Sequence, residues 1–421
     1  MNRYRLPTVL ILLFSISVFS EDNISSLNKM GVEAASRGDY EKAVTIFADA
    51  LKIAPDNQII IANLSASACK WAIHTYRCNN SEKAMLILRN GLSLLPNDNA
   101  LRNELTAILV NRGIEFLKRR DFQQARTMAD EALQINSNAP EGLCLAGDIA
   151  YARHDLTSAQ RYWQSALTVS PSNTEIKNRL DRVQKDRTAE QSFSRTTAYH
   201  FDIRFDYMAL SGGLYDIRSY LMEAYEKVGQ LFGRFPEYPI TVILYGENEF
   251  RLVNNVPEYV AGLYDGKIRI PINFSRYPTT LLKGILFHEY THAVIHDLSG
   301  GSCPLWLNEG IAMMTMHTQS PFSTGVLKQA ITSGAVFSLS QLENITAVWR
   351  NPHTVQLAYM QSWMMAEYLF HRWSSSSIKQ ILAGFREGRS FQPVLIKQLN
   401  RTPEQFDQEW KTFARSRLAL P

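Results

Sequence analysis

Across residues 21–190, apolar positions recur at helical spacing and are interrupted at regular intervals by short polar turns. Gly38-Asp39-Tyr40-Glu41-Lys42-Ala43 aligns with Asn79-Asn80-Ser81-Glu82-Lys83-Ala84, with Arg120-Asp121-Phe122-Gln123-Gln124-Ala125, and with His154-Asp155-Leu156-Thr157-Ser158-Ala159. The alanines stand 41, 41 and 34 residues apart. A small residue follows each one (Ala50, Gly91, Ala132, Ala166), then Pro55, Pro96, Ser137 or Pro171. Another small residue precedes each: Gly31, Ala72, Gly113 and Gly147. Small residues let two antiparallel helices approach closely, and the proline stops the second helix. The pattern predicts four helix pairs, with Phe47, Trp71 and Trp163 at packing positions. From Leu180 to Ala198 the chain turns polar and charged, which reads as a capping helix running into a linker, with a domain boundary near residue 195.

The second half has a different pattern. Short apolar runs at Tyr199 to Phe205 and Ile240 to Tyr245 predict strands, with a helix from Leu214 to Phe232 between them. Gly262 to Pro271 reads as a turn and an alternating strand ended by proline, the profile of a sheet edge. Leu281 to Leu298 lacks proline, is largely apolar and stops at Ser299-Gly300-Gly301, which predicts a buried helix ended by glycine. Thr402-Pro403-Glu404-Gln405 has the form of a capping box before a last helix over Phe406 to Leu418.

Met1 to Ser20 is a charged start (Arg3, Arg5), a short apolar stretch and small residues before Glu21-Asp22. This reads as a signal peptide cleaved after Ser20; Leu6 to Ser20 is too short to span a bilayer. The expected mature protein is exported, periplasmic or extracellular, with no stable membrane span. Lys+Arg number 44 against 40 Asp+Glu, so the chain offers no nucleic-acid footprint. Four cysteines without a CxxC pair exclude a zinc ribbon or thioredoxin motif. Cys69 and Cys78 are candidates to pair after export.

Chemistry enters at Phe287-His288-Glu289-Tyr290-Thr291-His292, an HExxH sequence. On a helix His288 and His292 stand one turn apart on one face, where both imidazoles reach one zinc ion, while Glu289 projects beside them. A glutamate in an apolar helix is costly to desolvate, which argues for a task. A catalytic zinc takes three protein ligands. A histidine six residues after His292 is excluded, because Leu298 stands there, and His296 lies a further turn along the helix. Glu309, in Leu305-Trp306-Leu307-Asn308-Glu309-Gly310, is the remaining candidate, since the Gly-Gly turn and Pro304 let a second helix fold back toward the first.

The repeat offsets resemble the tetratricopeptide repeat. The motif pair His288-Glu289-Tyr290-Thr291-His292 and Trp306-Leu307-Asn308-Glu309-Gly310 resembles the gluzincin metallopeptidases, and specifically peptidase MA-like domains. The resemblance implies an all-α tetratricopeptide solenoid (21–190) followed by an α+β thermolysin-like domain (195–421). It also implies one zinc ion per chain held by His288, His292 and Glu309, with Glu289 as general base. Tyr359, followed by Ser362, matches a tyrosine of similar domains and is the candidate donor to the oxyanion; His317 and His353 are weaker choices. An edge strand above the metal helix would pair with an extended peptide substrate. Met313, one turn after Glu309, offers no acid to steady a zinc-bound histidine, so support for the ligands is unassigned. Cys303 reads as a buried thiol.

Two functions compete. One is an exported zinc peptidase whose repeats dock substrate or a protein partner. The other is a cell-envelope interaction protein whose peptidase-like domain is inactive or only structural.

Overall fold

The computed structural model describes residues 9–210, 213–256, 260–272, 279–344, 348–349, 351 and 354–420, with side chains from Asp22 onward except 208 and 209. His353 lies outside the described residues. Two compact units result. The first holds the described residues up to Leu117 with Asp121–Ile149 and Thr157–Asn178; the second holds Lys118–Arg120, Ala150–Leu156 and the chain from Arg179 onward. Among the described residues no helix is long and apolar enough to cross a membrane.

The N-terminal half is helical: α1 (Val9–Ser36), α2 (Tyr40–Ile53), α3 (Gln58–Arg77), α4 (Ser81–Leu94), α5 (Asn99–Lys118), α6 (Phe122–Ile135), α7 (Pro140–Ala152), α8 (Leu156–Val169) and α9 (Thr174–Ala189). The turn within each successive helix pair (α1–α2, α3–α4, α5–α6, α7–α8) uses the same device. Gly38, Asn79, Arg120 and His154 all have positive φ. After three of them Asp39, Asn80 and Asp121 cap α2, α4 and α6 by accepting a backbone N–H three residues on. Ala43, Ala84, Ala125 and Ala159 are fully buried. The glycines are required by close packing: a Cβ on Gly31 would meet the Phe47 ring at 2.5 Å, and one on Gly147 would meet Trp163 at 2.4 Å. Phe47 and Trp163 are core, whereas Trp71 is half-buried with Lys83 over its ring. Cys69 and Cys78 are unpaired. Nine residues of helix hold them about 13 Å apart along α3 and its C-cap, beyond disulfide reach.

The second unit is built on a five-stranded mixed sheet of β1 (Ser194–Ala198), β2 (Phe201–Phe205), β3 (Ile240–Tyr245), β4 (Leu263–Tyr264) and β5 (Ile268–Pro271), in the order β1-β2-β3-β5-β4. Two sequence expectations change here. The end of the polar run is strand β1, antiparallel to β2, rather than linker. Ile268–Pro271 is an interior strand, parallel to β3 and antiparallel to β4; the two-residue β4 is the edge. Pro271 is tolerated because it closes the strand: the next N–H, of Ile272, bonds to Tyr245.

Helices cover the sheet: α10 (Tyr207–Leu210), α11 (Leu214–Phe232), α12 (Glu247–Asn254), α13 (Thr279–Ser299), α14 (Leu305–Gln319), α15 (Gly325–Ser333), α16 (Leu339–Leu342), α17 (Val355–Arg372), α18 (Ser375–Arg386), α19 (Phe391–Val394) and α20 (Pro403–Arg417), the last with the expected Thr402–Gln405 capping box. Strand alternation sorts the side chains. Val242, Leu244, Ile268 and Ile270 join the main core with Leu221 of α11 and Leu286 of α13. Ile243 and Tyr245 face the other way and pack with Phe250 of α12 and with Phe193.

Candidate metal centre

Helix α13 is buried on nearly every side, so its polar residues stand out. It ends at Gly300 and Gly301, both left-handed (φ 62° and 77°), a conformation that side chains with a Cβ disfavour. Pro304 then serves as the cap of α14 rather than lying in its first turn. The helices run back along each other: Thr291 pairs with Thr315 through their hydroxyls at 2.7 Å, and Gly284 meets Met316 and Ser320. Gly310 lets α14 press against α17, since a Cβ there would lie 2.2 Å from the Ser362 carbonyl oxygen.

This packing brings together three of the predicted residues. His288 Nε2 and His292 Nε2 are 3.1 Å apart, and Glu309 Oε2 lies 3.4 Å from the first and 3.6 Å from the second. A tetrahedral ion with bonds of about 2.0–2.1 Å needs donors spaced about 3.3–3.4 Å, so the triangle fits zinc. Glu309 Oε2 makes no hydrogen bond among the described residues and faces the two imidazoles. Asn308 supplies the support that sequence reasoning left unassigned. Its Oδ1 lies 3.0 Å from His292 Nδ1, and because an amide oxygen can only accept, Nδ1 donates to it and Nε2 is the nitrogen left to face the site. Asn308 sits beside Glu309 in the sequence motif, but an amide at that position gives no signal until the two helices are packed.

The electrostatics agree. Burial alone would raise the Glu309 carboxyl, but His292 and His288 hold it well below the usual carboxylate range. Burial would lower His292, yet Glu309 and then Glu289 push it up to about 9 in the metal-free protein. A divalent cation must therefore displace a proton. Apparent zinc affinity is expected to rise roughly tenfold per unit from pH 6 to 9, with about one proton released per ion bound at pH 7. Calorimetry in buffers of different ionisation enthalpy reads the release; a buffer-independent heat would contradict it.

Glu289 is 4% exposed, and burial raises its carboxyl above the ordinary range, partly offset by the two histidines. Its Oε2 has no hydrogen-bond partner among the described residues. Gly262, the residue before β4, is packed against it: a Cβ there would lie 2.4 Å from Glu289 Oε1. A cavity of about 240 Å³ opens beside them, lined by His288, Glu289, Gly262, Met313, Met316, Met360 and Tyr359. Tyr359 thus lines the same cavity as Glu289, its ring edge-to-face with Trp349.

Other candidates lie elsewhere. His296 is outside the donor triangle, near Tyr264 and Gly301, and burial lowers it to about 4. His317 is engaged in packing between Phe322 and Trp363. Cys303 lines a second cavity with His292 and Asn308, and burial pushes its thiol well above the ordinary range, so it is not a thiolate.

A buried helix pair that gathers two histidines and a glutamate, with a second glutamate beside them, suggests a metallopeptidase-like domain. Residues 223–416 match the Peptidase MA superfamily, and this part of the chain is a Peptidase MA superfamily domain. No curated protein matches the chain.

Proposed function

We propose that this protein is an exported, zinc-dependent peptidase of gluzincin type, with one zinc ion held by His288, His292 and Glu309. The supporting observation is the donor triangle of 3.1, 3.4 and 3.6 Å with an unpartnered, buried carboxylate beside it. Zinc bound there would supply a Lewis acid that acidifies water and polarises a scissile carbonyl. Glu289 acts as the general base: it takes a proton from the attacking water and passes it to the leaving amine. The Tyr359 phenol donates a hydrogen bond to the oxygen that gains charge. The edge strand β4, whose preceding residue touches Glu289, pairs with the backbone of an extended peptide. The helical array, whose turn spacing resembles tetratricopeptide repeats, serves as a docking surface for substrate or a protein partner.

Metal analysis and digestion of a peptide library with and without chelator test this reading. About one equivalent of zinc and chelator-sensitive cleavage are expected; absence of zinc would remove the mechanism. Cleavage unaffected by complete zinc removal would do so as well. Tyr359→Phe is expected to lower kcat by about 10²-fold with KM little changed. A kcat within twofold of the parent would return Tyr359 to a packing role against Trp349.

A further inference from the structure

The hairpin that carries β4 rests on a buried polar cluster that the proposed reaction does not use. Arg269, on β5, is 0% exposed. All five of its N–H groups are occupied. Nη1 and Nη2 donate to the two Asp186 oxygens at 2.9 and 3.0 Å. Nη1 also donates to Tyr245 Oη at 2.6 Å, Nη2 to Tyr151 Oη at 3.0 Å, and Nε to Asp265 in the hairpin turn at 3.2 Å. Tyr151 in turn donates to Asp186 at 2.6 Å, and Arg182 pairs with Asp265. Lys267, also buried, sits over the Tyr151 ring at 3.7 Å. Every residue of the cluster belongs to the second unit, which includes the Ala150–Leu156 stretch.

The backbone alone holds β4 poorly. It has two residues and one neighbouring strand, and its pairing is only Leu263 with Arg269 and Tyr264 with Ile268. The residue that pairs with Leu263 is therefore the one whose side chain is tied at five points. A buried ion pair is seldom more stabilising than an apolar replacement, so fixing one geometry is the effect such a cluster supplies best. Held this way, β4 keeps Gly262 against Glu289.

We infer that Arg269, Tyr151 and Asp186 are positioning residues for the substrate-pairing edge: they clamp β4 in register with the metal helix. The use of that edge by substrate rests on the peptidase reading above; the clamp itself does not.

The test uses Tyr151→Phe and Asp186→Asn in the full chain. Hydrogen–deuterium exchange of the amides over 263–268 is expected to quicken about tenfold in each variant, with those over 285–295 unchanged and zinc content at the parent level. For a quenched decapeptide, KM is expected to rise at least fivefold while kcat stays within twofold. Unchanged exchange in the hairpin of Tyr151→Phe would overturn the inference, whatever the activity. Faster exchange over 263–268 and 285–295 alike would overturn it too, as general loosening. Faster exchange confined to the hairpin with KM unmoved would uphold the clamp and overturn the pairing of substrate with β4. If Asp186→Asn does not fold, Tyr151→Phe alone decides.

Discussion

Glu289→Gln is expected to lower peptide cleavage by about 10³-fold while the protein keeps its full metal content. The two properties separate because the donor triangle is made by His288, His292 and Glu309, and Glu289 lies outside it. Glutamine has the same shape, so the close packing of Gly262 against the side chain is preserved. Burial disfavours the parent carboxylate and the two histidines offset this only in part, whereas an amide carries no charge to desolvate, so stability should not fall. What the amide lacks is the capacity to accept a proton from water. Metal analysis and turnover of a quenched peptide, run on the same preparations, read the outcome. A variant that loses its zinc would show that Glu289 shapes the site itself. A variant that binds zinc and cleaves at the parental rate would remove the general-base role, and with it the argument that this domain is a peptidase rather than an inert scaffold.

The His288, His292 and Glu309 cluster was legible because its signal is local. HExxH fixes two imidazoles on one helical face by spacing alone, and a Gly-Gly turn before a second helix brings Glu309 within reach of them. The helix pairs were legible for the same reason, since three of the four turns repeat a capping side chain three residues before an N–H. Asn308 was not, because its contact with His292 exists only once α13 and α14 are packed. The sheet was harder still. Ile268-Arg269-Ile270-Pro271 alternates apolar and polar, which ordinarily means one face in water, and the closing proline suggests an edge. The first reading fails because Arg269 is buried, under a second layer formed in part by α9 and residues 150–156, and the second because β4 pairs along the other side of the strand. Ser194-Arg195-Thr196-Thr197-Ala198 failed likewise. Its polar composition reads as linker, but pairing with β2 needs only backbone groups, and Arg195 gains an ion pair with Asp202 across the strands.

The same buried arginine carries the second large prediction. A chain beginning at residue 195, where the polar run suggests a boundary, is expected not to fold stably. It would lack Tyr151, Arg182, Asp186 and Glu190 and leave Arg269 enclosed without its bidentate partner. Removing one side of a buried pair costs about 3–5 kcal/mol. The loss of Ala189 and Phe193 would also uncover the Ile243, Tyr245 and Phe250 face of the sheet. Against a total stability of about 5–15 kcal/mol, these losses together are enough to unfold the domain. Urea unfolding of the truncated and full chains, followed by near-ultraviolet circular dichroism, makes the comparison. A truncated chain with a cooperative transition at the parental midpoint would show that the cluster is dispensable. Arg269→Met in the truncated background separates the two costs: recovery of a cooperative transition would assign the penalty to the stranded charge, and no recovery would assign it to the uncovered apolar face.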